Sequence, residues 1–227
     1  CLKQRITDSA FLRLTARFLT AGVVSKGRKS ATTAGTPQGS VLSPVLANIY
    51  LHYVLDLWFE RKVKRQTKGY AHLTRYADDF VVCVQSEREA RSFMASLAER
   101  LGKFGLRLAE AKSRVIEFGR YPWRAARRQA KRLATFDFLG FTHYCEATRA
   151  GGFKLGRKTA RKRLQRALVQ MNDWLKSIRN QMKLADWWPL LVAKVTGYYR
   201  DYGISGNLRS VQRFYRQVGG LAYKLLN

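Results

Sequence analysis

The chain has 227 residues, of which 46% are hydrophobic, and 43 Lys and Arg stand against 15 Asp and Glu. This composition excludes a disordered chain, and its net charge of +28 favours a polyanionic partner such as nucleic acid, because a compact monomer of that charge repels itself. No apolar run approaches the roughly 18–20 residues of a membrane span, and the three Cys and three His lack metal-ligand spacing, so we expect neither a membrane span nor a zinc site.

The first predicted helix covers residues 6–21. Its apolar residues recur at helical spacing behind the capping sequence Thr7-Asp8-Ser9, and Gly22 marks its end. The polar, basic residues 25–36 that follow are typical of a hairpin or a loop.

A loop of small residues then precedes a helix. Pro37 and Gly39 bracket a tight turn, and Ser43 followed by Pro44 predicts an N-cap and a helix that runs to about Glu60. A helix N-terminus behind such a loop is a ready anion site. Considered alone, the loop is also compatible with a purely structural turn. Residues 61–68 form a cationic run that is typical of a solvated connection.

Two adjacent carboxylates, Asp78 and Asp79, lie between the β-prone runs 73–77 and 80–84. The pattern predicts a hairpin with the pair at its tip, although no Gly, Pro or Asn is present to form an ordinary turn. Bare carboxylates without nearby His or Cys favour a hard divalent cation. An acidic turn exposed to water is the simpler alternative.

The next helix begins with a capping box formed by Ser86 and Glu89. Residues 106–118 begin and end with strand-like patterns and carry Lys112 in the connection, and the basic residues 121–134 are interpreted as a connector. The alternating aromatic residues 136–144 predict a second β-hairpin.

The pattern changes after Gly151-Gly152, which places a domain boundary near residue 155. Apolar residues then recur every three or four positions in three successive segments, so a small bundle of three helices is expected. The first of these helices carries basic residues off its apolar stripe: Arg161, Lys162, Arg166, Lys176 and Arg179.

Taken in order, these stretches resemble the reverse transcriptases encoded by group II introns, also called intron maturases. The matching stretches are Gly35-Thr36-Pro37-Gln38-Gly39-Ser40-Val41-Leu42-Ser43-Pro44, Tyr76-Ala77-Asp78-Asp79, Lys112, Phe138-Leu139-Gly140-Phe141 and residues 157–218 with Gly197-Tyr198-Tyr199. The resemblance implies an α+β fold. Residues 1–155 would form a partial polymerase palm with an antiparallel sheet and packed helices, and residues 156–227 a three-helix thumb, the intron-binding X region.

The chain also departs from the family pattern. The fingers motifs and the earlier palm strand with a third catalytic carboxylate are missing, since Asp8 lies in a helix cap. The first residue is Cys1 rather than Met. We therefore expect a fragment that does not polymerise by itself.

The resemblance implies an RNA-directed DNA polymerase, a nucleotidyltransferase of a mobile element, that adds deoxynucleotides to a primer with two Mg²⁺ ions. Asp78 would be the bridging metal ligand and Asp79 the second, while Lys112 would assist pyrophosphate departure. The residues implied for template and nucleotide are Pro37, Gln38, Gly39, Ser40, Tyr76 and Ala77, and those for the primer grip are Leu139, Gly140 and Phe141.

The implied partners are an RNA template, primer DNA, dNTPs and intron RNA, in a ribonucleoprotein of the bacterial cytoplasm or of an organelle. Two alternatives remain open at the level of sequence. One is a splicing cofactor that binds intron RNA without polymerising, and the other is a generic basic RNA-binding domain.

Overall fold

The computed structural model describes residues 1–20, 22–25, 28–30, 42–179 and 181–226. The chain divides into an N-terminal unit, Cys1–Val115, and a C-terminal unit, Ile116–Asn227. Every strand pair in the described residues is antiparallel and the strands lie among helices, so the predicted α+β class is confirmed. The assignment of a palm and a thumb to the two sides of residue 155 stays a prediction.

The N-terminal unit contains helices and two separate antiparallel hairpins. The helices are α1 (Ser9–Thr20), α2 (Ser43–Leu51), α3 (Lys64–Gln66) and α4 (Glu87–Gly102), with short 3-10 turns at Leu2–Gln4 and Glu110–Lys112. The hairpins are formed by β1 (Val23–Ser25) with β2 (Arg28–Ser30), and by β3 (Ala71–Tyr76) with β4 (Asp79–Val84).

Between α2 and α3 the chain stays helical but widens twice into π-helix, at His52–Asp56 and Phe59–Val63. The helix therefore continues to Gln66. Most of residues 61–68 are exposed, as predicted, but residues 61–66 are helix rather than a connection. Leu42 rather than Ser43 is the N-cap, with Pro44 in the first turn as predicted. π-Helical turns are frequent at functional sites, where they re-aim side chains.

The core of the N-terminal unit lies between the first π segment and α4. Val54, Leu55, Leu97 and Leu101 are almost completely buried there, and Leu73 and Phe80 of the β3–β4 hairpin pack against them. One face of the hairpin is thereby fixed to the core formed by the first π segment and α4.

Caps in this unit follow the sequence pattern in part. Asp8 accepts hydrogen bonds from the backbone N–H groups of Ala10 and Phe11 at the start of α1, and Ser86 accepts from Glu89 N at the start of α4. The Glu89 carboxylate instead accepts from Lys68 N, at 3.1 Å, so the reciprocal half of the predicted capping box is replaced by a tertiary contact.

The C-terminal unit joins a three-stranded sheet to three long helices. Its elements are α5 (Arg120–Arg128), β5 (Phe136–Phe138), β6 (Phe141–Ala147), β7 (Phe153–Thr159), α6 (Arg161–Ile178), α7 (Leu184–Tyr202) and α8 (Leu208–Leu226). The sheet has the order β5-β6-β7, so β7 extends the predicted hairpin.

Two local predictions in this part of the chain are wrong. Residues 106–118 contain no strand and form a single 3-10 turn at Glu110–Lys112, while residues 121–128 of the predicted connector belong to α5. The apolar residues 106 and 108 pack individually against the helical core of their unit, which explains a strand-like pattern without pairing.

The three long helices of the C-terminal unit, α6, α7 and α8, share one apolar core. Met171, Leu175 and Ile178 of α6 belong to one buried cluster with Phe214 and Val218 of α8, and α7 contributes Trp187, Leu191 and Tyr198. The predicted three-helix arrangement is therefore present, although the compact unit also includes the sheet. No described helix is long and apolar enough to cross a membrane.

Candidate active site

The Asp78–Asp79 pair lies at the tip of the β3–β4 hairpin, as predicted. Tyr76 pairs with Asp79, so Ala77 and Asp78 are the two turn residues. Ala77 has a positive φ of 52°, which a residue with a Cβ seldom adopts. The turn without glycine is thus made by a left-handed alanine, and both carboxylates are exposed.

The register of the hairpin separates its two faces. Tyr76 and Asp79 are directly opposite one another and therefore share a face, while Arg75 and Phe80 share the other. Because Phe80 packs against the core, Asp79 lies on the face that points away from it. The exposed ring of Tyr76, 66% accessible, lies beside Asp79 on that open face.

A guanidinium group supports the turn from the core side. Arg75 Nη1 donates to the carbonyl oxygen of Ala77 at 2.8 Å and to Asn48 Oδ1 at 2.8 Å. Its Nε and Nη2 donate to the two carboxylate oxygens of Asp56 at 2.7 and 2.6 Å, a two-point pairing of planar groups. The sequence analysis missed Asp56 and Arg75, because they lie 19 residues apart and no local pattern links them.

The Asp56 carboxylate is partly buried and charged. Burial raises its pKa, but the hydrogen bonds and charge of Arg75, with a smaller contribution from His52, outweigh burial and hold the pKa below its ordinary value of 3.8. Asp56, Glu60, Leu73 and Arg75 line an open pocket of about 220 Å³ behind the hairpin.

The Asp78–Asp79 pair fits a hard divalent cation by its chemistry. Both groups offer carboxylate oxygens at an exposed tip, and Mg²⁺ is commonly held by one or two carboxylates together with substrate phosphates and water. Within the described residues, no group of three or more His, Cys, Asp or Glu side chains could hold a metal ion.

The structure does not place the other residues predicted for this site in contact with the Asp78–Asp79 pair. Lys112 is exposed on the 3-10 turn, and no hydrogen bond or ion pair joins it to Asp78 or Asp79 in the described part of the chain. The nucleotide-loop residues Pro37, Gln38, Gly39 and Ser40 lie outside the described residues.

The predicted primer-grip residues form a second tight hairpin, in the C-terminal unit. Leu139 and Gly140 connect β5 to β6, and both have positive φ, 50° and 83°. The Gly140 carbonyl accepts from Ala160 N at 2.9 Å, and a Cβ added at Gly140 would meet the Tyr202 ring at 3.7 Å. Phe141 packs edge-on against the same Tyr202 ring, so the turn is supported by the helical part of its unit.

Basic side chains cover two helices of the C-terminal unit. The five predicted basic residues are all exposed: Arg161, Lys162, Arg166 and Lys176 on α6, and Arg179 at its C-cap. On α8, an open groove of about 430 Å³ is lined by Arg209, Gln212, Arg213, Arg216 and Gln217. This α8 groove was missed, although arginines spaced three and four residues apart opposite an apolar stripe could have indicated it.

Comparison with known proteins places these features in context. The family model described as reverse transcriptase (RNA-dependent DNA polymerase) matches residues 2–143, which include the whole Asp78–Asp79 hairpin and the Leu139-Gly140 turn.

Relatives are matched over short segments. An uncharacterized 91 kDa protein in cob intron of Schizosaccharomyces pombe is 47% identical over 68 residues, 30% of this chain and 8% of that protein. The group II intron-encoded protein LtrA of Lactococcus lactis is 42% identical over 60 residues, 26% of this chain and 10% of LtrA. Protein YkfC of Escherichia coli is 32% identical over 112 residues, 38% of this chain and 29% of YkfC. The match therefore spans about a tenth or less of the two intron proteins.

Proposed function

The chain belongs to the reverse transcriptase (RNA-dependent DNA polymerase) family, and from this membership we propose that it supplies the catalytic hairpin of an RNA-directed DNA polymerase of a group II intron. The group II resemblance seen in the sequence is confirmed by the family match together with the intron-encoded relatives. The observation that carries the proposed activity is the exposed Asp78–Asp79 pair at the tip of a hairpin whose other face is fixed to a core.

The proposed reaction is nucleotide addition. A primer 3′-hydroxyl attacks the α-phosphorus of an incoming dNTP, and pyrophosphate leaves. Two Mg²⁺ ions held by Asp78 and Asp79 would supply charge neutralisation at the attacking and leaving oxygens. Tyr76 and Ala77 would lie beside the nucleotide, and residues 37–40 would position nucleotide and template. Lys112 would provide positive charge for the pyrophosphate.

The C-terminal unit would hold nucleic acid. Leu139, Gly140 and Phe141 would grip the primer end, since a tight, well-supported turn allows close approach of a backbone. The exposed cations of α6 and of the α8 groove would contact the phosphates of the template–primer duplex and of the intron RNA. We place the assembly in a bacterial ribonucleoprotein or in an organelle.

Primer extension on an RNA template tests the activity. The longest natural chain that contains residues 1–227 is expected to extend the primer, and Asp78→Asn is expected to abolish extension. Asp173→Asn, which neutralises an exposed carboxylate on α6, is the matched control and should leave extension unchanged. Equal extension by wild type and Asp78→Asn would contradict the proposal. Residues 1–227 alone should not extend, because the two carboxylates supply few of the ligands of two metal ions.

A second candidate function is splicing without polymerisation, and the exposed cations of α6 and α8 favour it because they require no chemistry at the hairpin. Splicing of the parent intron RNA in the presence of Asp78→Asn separates the two functions. Splicing that persists while extension is lost assigns both functions to one chain. If wild type supports splicing but does not extend a primer, splicing remains as the function and polymerisation is excluded.

A further inference from the structure

Arg75 is the connection between the catalytic turn and the core of its unit. Its Nε, Nη1 and Nη2 atoms all donate hydrogen bonds, and the acceptors are the two Asp56 oxygens, Asn48 Oδ1 and the Ala77 carbonyl. Only 13% of the Arg75 side chain is exposed. The guanidinium is therefore held in one orientation by groups on two elements, the continuous helix 43–66 and the turn itself.

The turn needs such support. A left-handed φ at a residue with a Cβ is unfavourable, and it persists where the surrounding structure over-determines it. The Ala77 carbonyl belongs to this strained residue and immediately precedes Asp78. Its bond to Arg75 fixes the orientation of the peptide group that joins Ala77 to Asp78.

The Arg75 charge is paired with Asp56, on the hairpin face opposite Asp79. Arg75 is an ion-pair partner of Asp56, at 2.6 Å, and no ion pair links it to Asp78 or Asp79 in the part of the chain that the structure describes. Asp56 itself follows the buried residues Val54 and Leu55, so it is anchored to the core. Without Asp56, the guanidinium would keep only its hydrogen bonds to Asn48 Oδ1 and to the Ala77 carbonyl, and Glu60 of the same pocket could compete for it.

We propose that Asp56 and Arg75 are positioning residues for metal binding: Asp56 orients Arg75, and Arg75 fixes the Ala77–Asp78 peptide while its charge stays off Asp78 and Asp79. This inference rests on the proposed polymerase function and extends it to the continuous helix 43–66, which directly precedes the catalytic strands. Neither residue touches the reacting atoms. Both act indirectly: they fix the geometry of the Asp78–Asp79 pair and leave its two carboxylates without an ion pair to Arg75.

The expected effect follows from how outer partners of metal ligands behave. Mutation of groups that orient metal ligands typically lowers metal affinity or activity about 10–100-fold. Asp56→Asn keeps the size of the side chain but removes the charge that retains Arg75. It should therefore raise the Mg²⁺ concentration needed for half-maximal primer extension by about 10–100-fold, with a smaller change in the rate at saturating Mg²⁺.

Glu60→Gln is the matched control. Glu60 lines the same pocket as Asp56 and lies one helical turn further along, but its carboxylate pairs with Lys64 at 2.8 Å. Its neutralisation should leave the Mg²⁺ dependence unchanged. If Asp56→Asn and Glu60→Gln give the same Mg²⁺ half-saturation as wild type, the positioning role is wrong.

Two further measurements keep the test decisive. If circular dichroism shows that Asp56→Asn does not fold, Arg75→Lys serves instead, since Lys retains the charge but cannot make the two-point pairing. It should also raise the Mg²⁺ requirement, and a folded Arg75→Lys with wild-type requirement would overturn the proposal.

Mn²⁺ binding, followed by water-proton relaxation, provides a readout without catalysis. The longest natural chain that contains residues 1–227 should show an Mn²⁺ site. Asp78→Asn should abolish this site, Asp56→Asn should weaken it and Glu60→Gln should preserve it. If the longest natural wild-type chain fails to extend a primer but shows this order of Mn²⁺ affinities, the polymerase function is refuted and the positioning role is supported. Absence of any Asp78-dependent Mn²⁺ site in wild type would overturn the positioning role.

Discussion

Asn207 and Thr159 are joined by two buried hydrogen bonds. Asn207 Oδ1 accepts from the Thr159 backbone N–H at 2.8 Å, and Asn207 Nδ2 donates to Thr159 Oγ1 at 2.8 Å and to the Tyr202 carbonyl at 2.8 Å. Asn207 immediately precedes α8, and its side chain joins the end of β7 to the segment that leads into α8. These hydrogen bonds therefore join the sheet to the helices of the C-terminal unit.

Asn207→Ala should lower the free energy of unfolding of the C-terminal unit by about 2–3 kcal/mol, because it leaves buried donors and acceptors of Thr159 and Tyr202 without partners. Urea unfolding of residues 1–227 measures the loss. Gln212→Ala, which removes an exposed amide on α8, is the control and should have almost no effect. A similar small effect for both variants would contradict the anchoring role.

The ion pair of Asp56 and Arg75 predicts a dependence of stability on acid pH. The folded-state pKa of Asp56 is lowered from 3.8, so its ionised form stabilises the fold above that value. This stabilisation should disappear as pH falls from about 4 through the folded-state pKa. The difference in unfolding free energy between wild type and Asp56→Asn, measured from pH 7 to pH 2, should therefore shrink in acid. A difference that stays constant with pH would exclude the ion pair as its origin.

The turn at Leu139-Gly140 predicts effects of opposite sign at its two positions. Both residues have positive φ, and Asn-Gly is the pair that favours such a hairpin turn. Leu139→Asn should stabilise the C-terminal unit by about 1 kcal/mol, since Leu139 is 47% exposed and buries little surface. Gly140→Ala should destabilise it by about 1 kcal/mol. Thermal unfolding gives both values.

The primer-grip role can be tested with the same two substitutions. If Leu139 contacts the primer, Leu139→Asn should weaken primer binding while it stabilises the fold. Stabilisation with unchanged primer affinity would mean that the left-handed leucine has no role in binding.

The α8 groove predicts a change in the salt dependence of RNA binding. Replacing Arg209, Arg213 and Arg216 by Gln should reduce the slope of log affinity against log salt by about 2–3, because each phosphate contact contributes about 0.7–0.9. Filter binding of intron RNA at several salt concentrations, from about 50 to about 200 mM, measures the slope. Gln212→Ala with Gln217→Ala changes the same groove without changing charge and should leave the slope unaltered. An unchanged slope in the arginine variant would exclude the groove as a phosphate site.

Much of this fold could be predicted from local patterns. The β3–β4 hairpin, the Ser86 cap and the three long helices depend on neighbours within a few residues, whose spacing is visible in the sequence. The strand predicted around Lys112 failed because apolar spacing alone does not supply a pairing partner. The apolar stripe of α1 was recognised, yet Phe11, Leu14 and Phe18 are about half exposed.

By itself, the sequence determined that two carboxylates share the tip of a hairpin and that a basic helical region follows, because both features depend on short-range periodicity and on charge. Only the tertiary structure decided which side chains stabilise the hairpin turn and join the sheet to the helical region. Arg75 meets Asp56 across 19 residues, and Asn207 meets Thr159 across 48. Such pairings depend on where a π-helical turn or the end of a strand directs a side chain, and many polar residues compete for each partner until the core has fixed the backbone.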